Sequence, residues 1–204
     1  MVALPRASDA ARSFWTYAAV YGALWGALEV TLGSLLHSLR VPFLGALLAM
    51  AQGAFLIAVH TMRPKRGLVL SVSLVAALVK GLSPAGAVLP PMLAICAQGA
   101  LVELFLTLPG RTVPAILAGG IAPLWAVLQS LLMQVLYFGG AALSLYGRLL
   151  QAVGRGTGLP PDRVWVTAAL PIGLLFLCGA MFGLWGRRLG ERALLRLEGE
   201  GPCP

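Results

Sequence analysis

The sequence predicts an all-α integral membrane protein, a bundle of six transmembrane helices with both termini on the cytoplasmic side. Three observations predict it. The composition is 59% apolar and only 11% charged, with a mean hydropathy of +0.88, which leaves almost nothing for a soluble domain. The apolar residues fall in long runs rather than at amphipathic spacing. The basic residues sit mostly between and after those runs, so the formal charge of +8 reads as a set of topology signals and not as a nucleic-acid surface.

The first run, Trp15 to Leu36, WTYAAVYGALWGALEVTLGSLL, reaches about 33 Å as a helix, enough for a hydrocarbon core of about 30 Å. Arg6 and Arg12 precede it as in a signal peptide, yet the run is long, contains Glu29 and lacks a convincing small-x-small cleavage site. It is expected to be retained. The second run, Val41 to Met62, follows after the short link HSLRVP, so the first two helices are expected to be antiparallel neighbours. The turn MRPKRG, with Pro64 and Gly67, precedes a short third run from Leu68 to Leu82.

Ser83 to Gly86 and the pair Pro90-Pro91 break the backbone before a fourth run, about Pro91 to Leu108. After the turn PGRT, Pro109 to Thr112, the fifth segment from Val113 to about Leu145 is too long for one untilted span. Its outer part is expected to run past the bilayer surface. Tyr146 to Arg163 reads as the one long hydrophilic connection, and the sixth run, Val164 to Gly186, leads into a basic tail over residues 187–204.

Lysine and arginine placement sets the orientation. With the N-terminus inside, the cytoplasmic set is Arg6, Arg12, Arg63, Lys65, Arg66, Arg111, Arg187, Arg188, Arg192 and Arg196, against Arg40, Arg148, Arg155 and Arg163 outside. Small residues at four-residue spacing in Gly45-Ala49-Gly53 and Gly179-Gly183 suit a compact bundle. In the first helix they recur as Ala19-Ala23-Ala27 and Gly22-Gly26, either for packing inside the bundle or for another chain.

A polar constellation falls in the outer half: Glu29 and His37 of helix 1, Lys80 near the end of helix 3, Gln98 of helix 4, Gln129, Gln134 and Tyr137 of helix 5, and Trp165 of helix 6, with Arg40 at the same mouth. An ionised carboxylate facing lipid costs at least about 2.5 kcal/mol, so Glu29 must face a wet cavity, pair with a cation or be protonated. Polar groups at one depth are what a cavity for a small polar solute requires. Interhelical hydrogen bonds and a structural pair between Glu29 and Lys80 are the other reading.

Glu103, near the cytoplasmic end of helix 4, is expected to reach the interface or pair with an arginine such as Arg111. His37 and His60 lie at opposite ends of their helices and cannot share a metal. Cys96, Cys178 and Cys203 make neither a disulfide framework nor a CxxC spacing. No HExxH, GxSxG or acidic metal motif appears, and the GRGTG stretch lacks the GK[ST] ending of a phosphate-binding loop. The expectation is a protein that is not an enzyme, with no metal and no cofactor of its own.

With Ala19-x-x-x-Ala23, AVYGA, and Ala27 one turn on, about 200 residues, six helices and an outer polar pocket, the chain resembles the substrate-binding S components of energy-coupling factor transporters. The resemblance implies that Ala19, Ala23 and Ala27 dock on a transmembrane coupling subunit, which sits on two cytoplasmic ATPases that use ATP. It implies a small solute bound from outside under the outer loops, at His37 to Pro42 and Ser83 to Pro90, and released inside when the subunit topples. The start MVALPR carries no histidine of the nickel and cobalt branch, so a vitamin or related organic molecule is the implied substrate. Two other classes stay open: a noncatalytic membrane subunit or assembly factor of a larger complex, and an intramembrane enzyme built on Glu29 and His37.

Overall fold

The computed structural model describes residues 7–38, 44–82, 89–156 and 164–199. Among them the chain forms seven helices: α1 Ala7–Ser38, α2 Leu44–Met62, α3 Leu68–Gly81, α4 Leu89–Leu106, α5 Thr112–Phe138, α6 Gly140–Gly156 and α7 Val164–Gly199, with no strand among the described residues. Four stretches, Leu44–Met62, Leu89–Leu106, Thr112–Phe138 and Ala169–Leu197, are long and apolar enough to cross a membrane. The exterior is apolar too, with Val20, Leu24, Leu74, Leu78, Leu104, Leu128, Leu174 and Leu177 exposed, the reverse of what water would allow on so many adjacent helices. The chain is a multi-pass membrane protein.

The helices differ from the sequence reading at two places. The fifth run ends at Gly139, whose φ of 59° terminates α5 with its N–H donating to the Val135 carbonyl. A separate helix, α6, then occupies much of the expected hydrophilic connection. Ser144, Arg148, Gln151 and Arg155 recur at helical spacing along it, with Leu143 and Leu145 off that stripe, so α6 is amphipathic and suited to the bilayer surface. The expected basic tail is also helical: α7 runs on to Gly199, helped by the Arg187–Glu191 pair one turn apart at 3.5 Å.

Neighbours in sequence are not always the main neighbours in space. α1 was expected to pair with α2, but it leans chiefly on α3 and meets α2 mainly through rings. Trp25 stacks on Phe55 at 5.3 Å, and Tyr21 meets the same ring edge-on at 6.3 Å. The reason is steric. A Cβ on Gly22 would overlap Val75 and the Val72 carbonyl, and one on Gly26 would overlap Val79, so the two glycines let α1 lie almost on the α3 backbone.

α2 is the central helix, packed on α7, α5 and α4 as well. The row Gly179-Gly183-Gly186-Gly190 gives α7 one small-residue face that meets two helices in succession. Gly179 and Gly183 sit against Gly119 and the Ala115 carbonyl of α5, while Gly186 and Gly190 sit against the backbone of Ala54 and Ala58 in α2. Gly53 of the expected α2 row faces Ala122 of α5, whereas Gly45 has open space around it. The core so enclosed contains Leu56, Ile57, Val59, Val69, Val72 and Val102.

Contacts at the helix ends give the bundle its polarity. Lys65 Nζ donates to Ser13 Oγ at 3.4 Å, and the Arg63 guanidinium stands 4.9 Å over the Tyr17 ring, so the α2–α3 turn lies beside the N-terminal part of α1. Arg187 Nη1 donates to Thr112 Oγ1 at 2.6 Å, tying α7 to the start of α5. Most of the basic residues therefore gather at one end, here called the basic end.

Candidate functional site

At the opposite end, the sequence-derived constellation separates into a buried glutamate with a half-buried lysine on its backbone, and several helix-to-helix bonds. Glu29 is 9% exposed. Lys80 reaches across from α3, and its Nζ donates to the Glu29 backbone carbonyl at 3.4 Å. The ammonium also lies over Gly33, one turn further along α1, where a Cβ would stand 3.4 Å from it and 3.8 Å from Leu48 of α2. Those are ordinary contact distances, so the ammonium packs directly on the α1 backbone at Gly33 with room for no more than a methyl group between them.

Trp25, one turn before Glu29 on the same face, escaped the sequence reading. It is buried, its ring is held by Phe55, and its Nε1 has no hydrogen-bond partner. Its spacing of four from Glu29 was the available signal. Glu29, Lys80 and Trp25 thus come together where α1, α2 and α3 meet.

The glutamines behave differently. Gln98 Nε2 donates to the Ala49 carbonyl at 2.7 Å, and Gln52, another residue the sequence reading passed over, returns the contact to the Ile95 carbonyl at 3.5 Å. Two buried amides therefore clasp α2 to α4, with residues 49 and 52 facing 95 and 98. Gln134 accepts a 2.5 Å bond from the Tyr146 hydroxyl, which joins α5 to α6. Gln129 Nε2 donates to the Pro90 carbonyl at 2.7 Å, while its buried Oε1 has no partner. Tyr137 is exposed, away from Glu29 and Lys80. The side chains of His37 and Trp165, Arg40, and most of the Ser83 to Pro90 link lie outside the described residues.

Glu103 corrects the expectation that it snorkels or pairs with Arg111. Its Oε1 accepts from Gly67 N–H at 2.7 Å, and its Oε2 from Val69 and Leu70 N–H at 3.0 and 3.2 Å. Gly67, the N-cap of α3 with a φ of 81°, has no side chain with which to cap the helix. A carboxylate from α4 supplies the missing acceptor and the negative charge that a helix N-terminus favours.

Along α1, Ala19, Ala23 and Ala27 are all exposed, bordered by exposed Val20, Leu24 and Leu28. Among the described residues the alanine row is thus left uncovered, whereas the Gly22-Gly26 row is packed on α3.

A pocket of about 270 Å³ opens at the basic end between α2, α5 and α7, lined by His60, Thr61, Arg111, Arg187 and Glu191 with Ile57, Leu106 and Leu194 as apolar wall. No motif pointed to it, because its residues come from four separate segments. Among the described residues, no group of three His, Cys, Asp or Glu side chains could hold a metal.

Comparison with known proteins returned no matching family model, no similar curated protein and no similar solved structure. The class that fold and site define is a multi-pass helical membrane protein with a buried glutamate beside a half-buried lysine at one end and a basic pocket at the other.

Proposed function

We propose that the chain is the membrane-embedded, solute-binding subunit of an uptake system of the energy-coupling factor type, specific for a small organic molecule such as a vitamin or vitamin precursor. The observation that carries this reading is the division of labour on α1. One face holds Trp25 and Glu29 buried beside Lys80, and the other leaves Ala19, Ala23 and Ala27 uncovered. A solute-binding subunit that docks on a coupling subunit needs both on one helix.

In this proposal the basic end faces the cytoplasm by the excess of arginine and lysine there, both termini lie inside, and α6 rests on the outer surface. Six helices cross, α1 and the short α3 among them. Solute enters from outside and meets Glu29, Lys80 and the Trp25 N–H, polar groups drawn from water that a polar ligand would compensate. A coupling subunit with two ATPases would bind along the alanine face and supply ATP-driven release.

The test is native mass spectrometry of the detergent-purified chain. A stoichiometric organic molecule is expected, lost in Glu29→Gln and in Lys80→Met while the protein stays folded. If both variants keep the molecule, the pair is not its site.

The amide clasp of Gln52 and Gln98 and the Gln134–Tyr146 bond favour a second reading, a noncatalytic subunit whose polar groups only hold helices together. A chain that carries no solute but is held firmly to other membrane chains would select it.

A further inference from the structure

We propose that the basic-end pocket binds an anionic phosphate group, a binding site independent of the solute site inferred above. Two guanidinium groups face it from different elements. Arg187 comes from α7, fixed by its 2.6 Å bond to Thr112, and Arg111 is the exposed residue at the α5 N-cap. The α5 N-terminus has no side-chain cap, so the Thr112 and Val113 N–H groups add partial positive charge near the same rim, Pro114 having no N–H to give.

His60 is half-buried in the pocket wall with its Nδ1 unpartnered, whereas Arg187 Nε already faces the Glu191 carboxylate. Glu191 opposes this charge in part, but it stands 3.5 Å from Arg187 Nε and serves to orient the guanidinium. Arginine forks of this kind match phosphate oxygens in geometry as well as charge.

Size and lining narrow the ligand. At about 270 Å³ the pocket lies just under the roughly 300 Å³ at which small-molecule sites begin, so it takes a phosphate ester with a few carbons and not a nucleotide. Ile57, Leu106 and Leu194 offer those carbons an apolar wall. The shared chemistry is a negatively charged phosphate ester, carried either by an anionic lipid of the facing leaflet or by a small soluble compound.

Thermal unfolding of the full detergent-purified chain tests this. Short-chain phosphatidylglycerol, phosphatidylcholine of the same chain length, and glycerol 3-phosphate are titrated separately. Saturable stabilisation by phosphatidylglycerol alone supports the lipid headgroup, and stabilisation by glycerol 3-phosphate supports the soluble source. Arg111→Gln should weaken either effect about tenfold, as for one lost charge-assisted contact. Arg66→Gln, which removes an exposed charge from the α2–α3 turn, should leave it unchanged.

Arg111 is exposed, so its replacement tests the pocket even if Arg187→Gln fails to fold. Two results overturn the proposal: neither anion stabilises beyond phosphatidylcholine, or Arg66→Gln weakens binding as much as Arg111→Gln.

Discussion

The two small-residue rows of α1 have the same four-residue spacing and opposite fates. Gly22 and Gly26 are sealed against α3, whereas Ala19, Ala23 and Ala27 face outward. The difference lies in what each neighbour demands. Val72, Val75 and Val79 bring β-branched side chains and a backbone carbonyl so close that even one Cβ would overlap them. Alanine would not fit there, so the glycine row is the internal one. Spacing shows that a helix has a flat side, and the identity of the small residue shows how close the partner comes.

The comparison can be broken most severely at Gly22. Gly22→Leu should destabilise the protein by about 3 kcal/mol or more, because the new side chain enters an already filled contact. The expected result is loss of monodisperse protein in size-exclusion chromatography. If Gly22→Leu purified and unfolded like the parent, the tight α1–α3 contact would be wrong.

Glu103→Gln asks whether α3, the helix that α1 leans on, needs its borrowed cap. A neutral amide can still accept hydrogen bonds but offers no charge and only one acceptor oxygen, so a loss of about 1–2 kcal/mol is expected. Reversible unfolding followed by circular dichroism in mixed micelles would read it. Adding Glu103→Gln to the Gly26→Ala background should give less than the sum of the two losses, since both act through α3.

Gln98→Leu removes one arm of the clasp between α2 and α4. Interhelical bonds in membranes average about 0.6 kcal/mol, so the unfolding midpoint should move slightly and solute binding should persist. A large loss of bound solute in Gln98→Leu would put that amide back into the site. Ala23→Leu should have the smallest effect on stability, near zero, because the added atoms point outward. It should nevertheless abolish transport if the alanine row docks a coupling subunit, and uptake by cells expressing the variant measures that directly.

Much of the bundle was legible from the chain itself. Long apolar runs broken by Pro64, Gly67 and Pro109-Gly110 located α2 to α5, because a span must satisfy its backbone internally and the breaks fall where it can meet water. α6 was hidden because glycines and arginines read as loop chemistry, although Ser144, Arg148, Gln151 and Arg155 already stood at helical spacing. The Gly179-Gly183 step of α7 was visible, but not that Gly186 and Gly190 carry the same face on to a second partner.

The site was legible only in part, since polarity in an apolar helix marks a residue without naming its partner. Glu29 and Lys80 do meet, through an ammonium on a backbone carbonyl. Gln98 and Glu103 each found backbone atoms of a helix distant in sequence, Ala49 for the first and Gly67, Val69 and Leu70 for the second. Such pairings depend on how helices are arranged, which local sequence does not encode.

The Glu103 contact also has a consequence for the order of events at the ribosome. α3 is 14 residues long, about 21 Å of helix and shorter than the hydrocarbon core. Its capping carboxylate is made 36 residues after Gly67, a wait of about 2 to 7 s at ordinary elongation rates. During that interval the nascent α3 is both too short and uncapped, so α3 and α4 should leave the insertion machinery together, as one hairpin closed by Glu103.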